Sequence, residues 1–115
     1  MGKKTSKCNP ELLKEAGNKA FTNGSFEEAL KLYTQAIDRL ENPSHLYLTT
    51  RANAYLKLER NSECIVDCDL ALTIEPTFVK AYIRKIDALL NLQRLDEALQ
   101  VTTQALELDS ENTDL

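Results

Sequence analysis

Residues 26–40 read FEEALKLYTQAIDRL and residues 95–108 read LDEALQVTTQALEL, with a weaker echo, NSECIVDCDLALTI, at 61–74 between them. Superposing the three stretches aligns Ala29, Cys64 and Ala98 at intervals of 35 and 34 residues. Tyr33, Cys68 and Thr102 keep the same intervals, and so do Ala36, Ala71 and Ala105. Within each stretch the three positions run i, i+4, i+7, the spacing of one helix face. Small residues on such a face let a second helix approach closely. Three ladders at one period mark an internal repeat. The extra residue of the first interval falls in the turn Glu41–Ser44, where loop closure hardly registers an insertion.

Working outward from these ladders, each block divides into two helices. Asn9-Pro10 is a capping residue followed by proline at the first helical position, and that helix runs to about Asn23-Gly24. Ser25 with Glu28 three residues on reads as a capping box opening a second helix, Phe26 to about Leu40. Asn42-Pro43-Ser44 breaks the chain and starts a third, to Leu58. Asn61 is expected to cap a fourth that ends near Ile74 and is closed by Pro76. Thr77 opens a fifth, to about Leu92, and a sixth spans about Leu95–Leu108. Turns this short make neighbouring helices antiparallel. The expected organisation is a flexible basic tail at 1–9 and repeats at about 10–43, 44–77 and 78–110. Residues 111–115 then form a tail or the start of a capping segment.

The chain has 115 residues, enough for one domain. Only three glycines and three prolines are available as punctuation, which argues against a many-stranded sandwich or barrel. A formal net charge of −4 disfavours nucleic acid and membrane surfaces as partners. No apolar run approaches the roughly 20 residues that span a bilayer. Cys64 and Cys68, four apart on one helix face, suit a disulfide poorly; with Cys8 they read as reduced thiols of a cytoplasmic protein. The single histidine, His45, sits at a helix start as a surface or turn residue, with no nucleophile beside it. The three glycines build no phosphate loop. No catalytic residue, metal ligand set or cofactor is expected. The motif Met1-Gly2-Lys3-Lys4-Thr5-Ser6 formally fits an acylation signal, but its Lys3 favours a plain basic tail.

This pattern of paired helices resembles the tetratricopeptide repeat, a 34-residue helix–turn–helix with small residues where the helices cross and proline at the repeat end. Gly17, Ala20, Ala29, Tyr33 and Ala36 carry the resemblance in the first block. Ala52, Tyr55, Ala71 and Pro76 carry it in the second, and Tyr82, Ala98 and Ala105 in the third. Arg51, Lys85, Ile86 and Ser110 depart from it. The resemblance implies an all-α solenoid of six helices in a right-handed superhelix, its first helices lining a concave groove. The C-terminal capping helix would be missing or only begun. Charge follows the same division. First helices carry seven cations (Lys14, Lys19, Arg51, Lys57, Lys80, Arg84, Lys85) against three carboxylates, second helices three cations against nine. A basic groove in an acidic protein focuses its field on an anion.

Lys14 and Asn18 share a helix face, as do Lys80 and Arg84, with Lys57 on the helix between. Two or three cations and an amide around one concavity suit a carboxylate, which accepts about four hydrogen bonds. The stretch 13–21, LKEAGNKAF, with 80–85, KAYIRK, resembles the carboxylate-clamp subclass of tetratricopeptide domains found in heat-shock co-chaperones. That resemblance implies a partner, the acidic C-terminal Glu-Glu-Val-Asp of the seventy- and ninety-kilodalton heat-shock chaperones. It also implies roles. Lys14 and Asn18 would take the main-chain carboxylate, and Lys80 and Arg84 the last Asp side chain, with Lys57 adding charge. Where the family has Asn, this chain has Thr50, with Asn53 one turn on as a substitute. Asp87, one turn after Arg84, either pairs with that arginine or repels an anion. Phe21, Leu56, Ile83 and Leu90 are expected to form the groove's apolar part. Two alternatives stand beside this adaptor reading: the same groove binding an unrelated internal peptide or helix, or a targeting domain of a multidomain enzyme. A stripe around Leu99 and Leu106 on an uncapped last repeat offers a route to self-association.

Overall fold

The computed structural model describes residues 9–113, with side chains through Leu108. Cys8, the acylation-like motif and the final two residues lie outside this range. Six helices follow one another: α1 (Pro10–Thr22), α2 (Phe26–Asp38), α3 (His45–Lys57), α4 (Asn61–Ile74), α5 (Val79–Asn91) and α6 (Leu95–Thr113). The sixth runs past Leu108, through the segment expected to begin a separate cap. Among the described residues there is no strand. Packing is sequential, each helix against the next, with α3 also touching α5 across the first-helix layer. The outcome is an elongated slab of 47 × 32 × 20 Å.

The ladders are where the helices meet. Ala29, Cys64, Ala36, Cys68 and Ala71 are fully buried, and Ala98 and Tyr33 nearly so. Cys64 and Cys68 sit in one cluster with Leu48, Ala52, Ala71, Ala81 and Ala88, filling the α3–α4–α5 junction as small apolar residues. They are free thiols, and Cys68 is pushed far above the usual thiol range by its hydrogen bond to Cys64 and by burial. A thiol held protonated in this way is inert.

The turns inside each repeat obey the same period. Gly24 (φ 84°), Glu59 (φ 61°) and Gln93 (φ 60°) all adopt the left-handed conformation. They lie 35 and 34 residues apart, like the ladders. In each case the next amide reaches back five residues, Ser25 N to Ala20 O, Arg60 N to Tyr55 O and Arg94 N to Leu89 O, at 2.8 to 2.9 Å. This is the Schellman closure, which needs a left-handed residue after the helix. Only the first repeat uses glycine there; the other two place a long polar side chain at a conformation costing about 1–2 kcal/mol.

Helix starts differ from expectation at three points. Ser25 precedes α2 but its side chain accepts no capping hydrogen bond, so the Ser25–Glu28 box does not form. At the two equivalent positions the pair is ionic: Arg60 Nη2 meets Glu63 Oε2 at 2.7 Å and Arg94 Nε meets Glu97 Oε1 at 2.6 Å. Arg60, not Asn61, is therefore the residue before α4, and the Asn61 side chain instead accepts from Asn91 Nδ2 across the repeats at 3.0 Å. Thr77 donates to Glu75 Oε2, and α5 begins two residues later at Val79. Caps at Asn9 and Ser44 form as read, each side-chain oxygen accepting two backbone amides.

A buried ion pair joins the two helices of the second repeat, and its arginine also reaches the first repeat. Arg51 Nε and Nη2 grip Asp67 Oδ2 and Oδ1 at 2.7 and 2.8 Å, and Nη1 reaches Thr34 Oγ1 at 3.5 Å. Asp67 is 2% exposed and Arg51 17%. The Asp67 hydrogen bond and charge hold the guanidinium above its ordinary pKa.

Candidate peptide-binding site

A cavity of about 350 Å³ opens on the layer of first helices. Lys14, Asn18, Phe21 and Thr22 of α1 form one wall. Leu46, Thr49, Thr50 and Asn53 of α3 form the floor, and Phe78, Lys80 and Arg84 from α5 and its approach form the other wall. Tyr33 of α2 closes the base. Three cations line the cavity and no carboxylate does. Six of the seven polar residues singled out from the sequence therefore converge, as does Phe21.

Spacing explains the convergence. Residues 14, 18 and 21 stack on one face of α1, and 46, 49, 50 and 53 on one face of α3. The α1–α3–α5 layer sets these faces around one hollow. Asn18 is oriented from below: the Tyr33 hydroxyl donates to Asn18 Oδ1 at 2.6 Å, which leaves the amide hydrogens of Nδ2 for a ligand. Burial raises the Tyr33 phenol above its ordinary pKa, so it stays a donor. Lys14 Nζ lies 4.7 Å from the centre of the Tyr47 ring, a cation–π contact that holds the ammonium at the rim.

Four expectations do not hold. Lys57 lies seven residues after Thr50, roughly 10 Å further along the axis, and is exposed beyond the cavity. Leu56 turns inward and packs against the Leu48–Ala52 core. Ile83 and Leu90, 44% and 48% exposed, lie outside the cavity lining, Ile83 turned about 100° from Arg84 and Leu90 about 9 Å further along. Leu46 and Phe78 supply the apolar lining instead, with Phe78 held edge-on to the His45 ring at 4.7 Å between centroids.

The tally of first-helix charge also overstates the groove. Arg51 and Lys85 turn away from it, pairing with Asp67 and Asp69 of α4; the Lys85–Asp69 contact is 2.7 Å. Asp87 does not line the cavity, and among the described residues no ion pair joins it to Arg84. Thr50 lines the cavity, but its hydroxyl donates back to the Leu46 carbonyl at 2.9 Å. Its proton is thus spent on the helix, and it faces the hollow as an acceptor.

Tyr33, Thr22, Thr49, Leu46 and Phe78 were missed in the sequence. Tyr33 was visible only as a member of a buried ladder. Its role depends on Gly17, where an added Cβ would stand 2.5 Å from Tyr33 Cε1 and 2.7 Å from Cδ1. Tyr33 is 3% exposed and packs in one cluster with Ala29, Leu30 and Ala54. Gly17→Ala is expected to cost about 1–3 kcal/mol through overpacking and to release Asn18. Urea unfolding together with peptide titration checks this; unchanged values in both would show that the ring relocates freely.

Among the described residues no helix is long and apolar enough to cross a membrane, and no group of three or more His, Cys, Asp or Glu is placed to hold a metal.

The family profile described as tetratricopeptide repeat matches residues 79–112. RNA polymerase II-associated protein 3 of Mus musculus is 38% identical over 102 residues, covering 88% of this chain and 15% of that protein. The chain thus spans a small part of the curated relatives it matches. Among solved structures, the first tetratricopeptide domain of Spaghetti (RPAP3), bound to the HSP90 peptide SRMEEVD, superposes with a TM-score of 0.79 at 36% identity. It covers 88% of this chain and 81% of that one. The TPR2B domain of yeast Sti1, in a complex with an Hsp70 peptide, gives a TM-score of 0.83 at 32% identity, covering 91% and 83%.

Proposed function

Because the chain belongs to the tetratricopeptide repeat family, we propose that it is a non-catalytic adaptor module whose basic cavity holds the acidic C-terminal tail of 70- and 90-kDa heat-shock chaperones. The observation that carries this reading is the convergence of Lys14, Asn18, Lys80 and Arg84 on one hollow that no carboxylate lines. Two cations on one wall and a cation with an amide on the other suit two carboxylates about a residue apart, which is what a terminal Asp presents. Charge-assisted hydrogen bonds are the strong kind, and here they act in a partly enclosed site. Solved relatives that carry HSP90 and Hsp70 peptides support the assignment.

Lys14 and Asn18 would grip the main-chain carboxylate, and Lys80 and Arg84 the last side chain. Leu46, Phe78 and Phe21 would face the aliphatic residue before it. A cytoplasmic location fits such a partner. A second reading, an internal peptide with no free carboxylate, draws on the Thr50 hydroxyl being committed to Leu46.

Calorimetric titration with SRMEEVD beside its C-terminally amidated twin separates the two. The clamp reading expects micromolar binding that weakens at least about tenfold on amidation, which is ~1.4 kcal/mol. Equal binding of both peptides would support the internal-peptide reading, and binding of neither would refute the chaperone-tail assignment.

A further inference from the structure

Among the residues whose side chains are described, every threonine hydroxyl but one has a partner. Thr22, Thr50, Thr73, Thr102 and Thr103 each donate to the carbonyl four residues back, at 2.8 to 3.0 Å. Thr77 donates to Glu75, and Thr34 meets Arg51. Thr49 alone is without one: it is 6% exposed and its Oγ1 is buried and unsatisfied. It also lines the cavity, next in sequence to the threonine whose proton is spent.

A helical threonine has two accessible χ1 wells, one of which closes a bond to the preceding turn. Thr49 forgoes that bond, and a buried hydroxyl without a partner is a standing cost. Such groups persist where the partner arrives from outside. Rotamer exchange needs no backbone movement, so χ1 rotation brings the hydroxyl to a guest without rearranging the helix.

We propose that Thr49 is a further ligand-binding group of this cavity: its hydroxyl donates to the terminal carboxylate of the bound peptide, supplying the hydrogen bond that Thr50 withholds. The inference rests on the carboxylate reading above and adds the residue that compensates for the missing amide. Thr49 and Thr50 then divide two tasks between them. Thr50 secures α3 and presents an oxygen to the guest's backbone N–H, while Thr49 answers its negative charge.

The test compares the wild-type protein with Thr49→Val, which keeps the shape and removes the hydroxyl, and Thr49→Ser, which keeps the hydroxyl. Each is titrated with SRMEEVD and with the amidated peptide, and each is melted. Thr49→Val is expected to weaken binding of the acid peptide about fivefold, ~1 kcal/mol, leave the amidated peptide unchanged and keep or raise the melting midpoint. Thr49→Ser is expected to bind as the wild type does. Acid-peptide affinity unchanged in Thr49→Val would overturn the proposal, as would a loss shared by Thr49→Ser, which would assign the effect to packing. A lowered midpoint in Thr49→Val would show that the hydroxyl serves the fold. If the wild type itself fails to distinguish the two peptides, the carboxylate reading falls and this inference with it, an outcome separate from failure at Thr49 alone.

Discussion

Alanine in place of Arg51 is expected to remove about 3–5 kcal/mol of stability. The reason is what it leaves behind. Asp67, 2% exposed, is left in the α3–α4 interface without either guanidinium hydrogen bond. Taking a carboxylate out of water is tolerable only with a partner in good geometry. A domain of this size has a total stability of about 5–15 kcal/mol, so the variant stands near the edge of folding. Asp67→Ala should cost comparably, since it strands the cation instead. The paired change Arg51→Met with Asp67→Leu should recover most of the loss, because an apolar pair of similar volume asks for no desolvation. Urea denaturation of the three variants checks these expectations, and adding the Arg51→Ala with Asp67→Ala double closes the cycle that gives the coupling energy. If Arg51→Ala fell within 1 kcal/mol of the wild type, the pair would have to be solvated in solution.

The second large effect concerns the ligand. Lys14→Ala and Arg84→Ala are each expected to weaken SRMEEVD binding by about ten- to a hundredfold, corresponding to 1.5–3 kcal/mol for a hydrogen bond to a charged group. Lys57→Ala and Lys85→Ala provide the contrast. One lies beyond the cavity and the other is held by Asp69. At an ionic strength of about 0.15 M the Debye length is ~8 Å, so both should bind within about twofold of the wild type. A loss at Lys57 equal to that at Lys14 would mean that diffuse charge, and not contact, governs binding.

The contrast between Lys14 and Lys57 also marks how far the sequence could be read. Period and ladder spacing located six helices, and the helix boundaries moved by only a residue or two, except that the sixth runs five residues past Leu108. Ser25 and Asn61 illustrate why. A capping residue is recognised by type, yet whether its side chain bonds an amide depends on a local torsion that competes with a Schellman turn arriving from the helix before. In the second and third repeats an arginine–glutamate pair takes the place of the cap, which cap statistics do not foresee. The left-handed positions at Glu59 and Gln93 were likewise hidden, because only Gly24 advertises such a conformation.

Site residues show the same divide. Lys14, Asn18, Lys80 and Arg84 were legible because i, i+4 spacing on a first helix fixes direction to within a fraction of a turn. Leu56, Ile83 and Leu90 were not, since an apolar side chain near the edge of a face is claimed by whichever neighbour packs closest. Arg51 and Lys85 looked like groove cations until α4 brought Asp67 and Asp69 within reach.

By itself the sequence determined the repeat, the all-helical solenoid and the basic character of one layer, because these follow from periodicity and composition, which add up over many residues. Only the tertiary structure decided which cations remain for a ligand, that Tyr33 aims Asn18, and that of two adjacent threonines one is spent and the other unpartnered. Those outcomes turn on single hydrogen bonds between residues 4 to 16 positions apart or more. A hydrogen bond is won by the partner that packing delivers to within 3 Å, and no pattern along the chain records that distance.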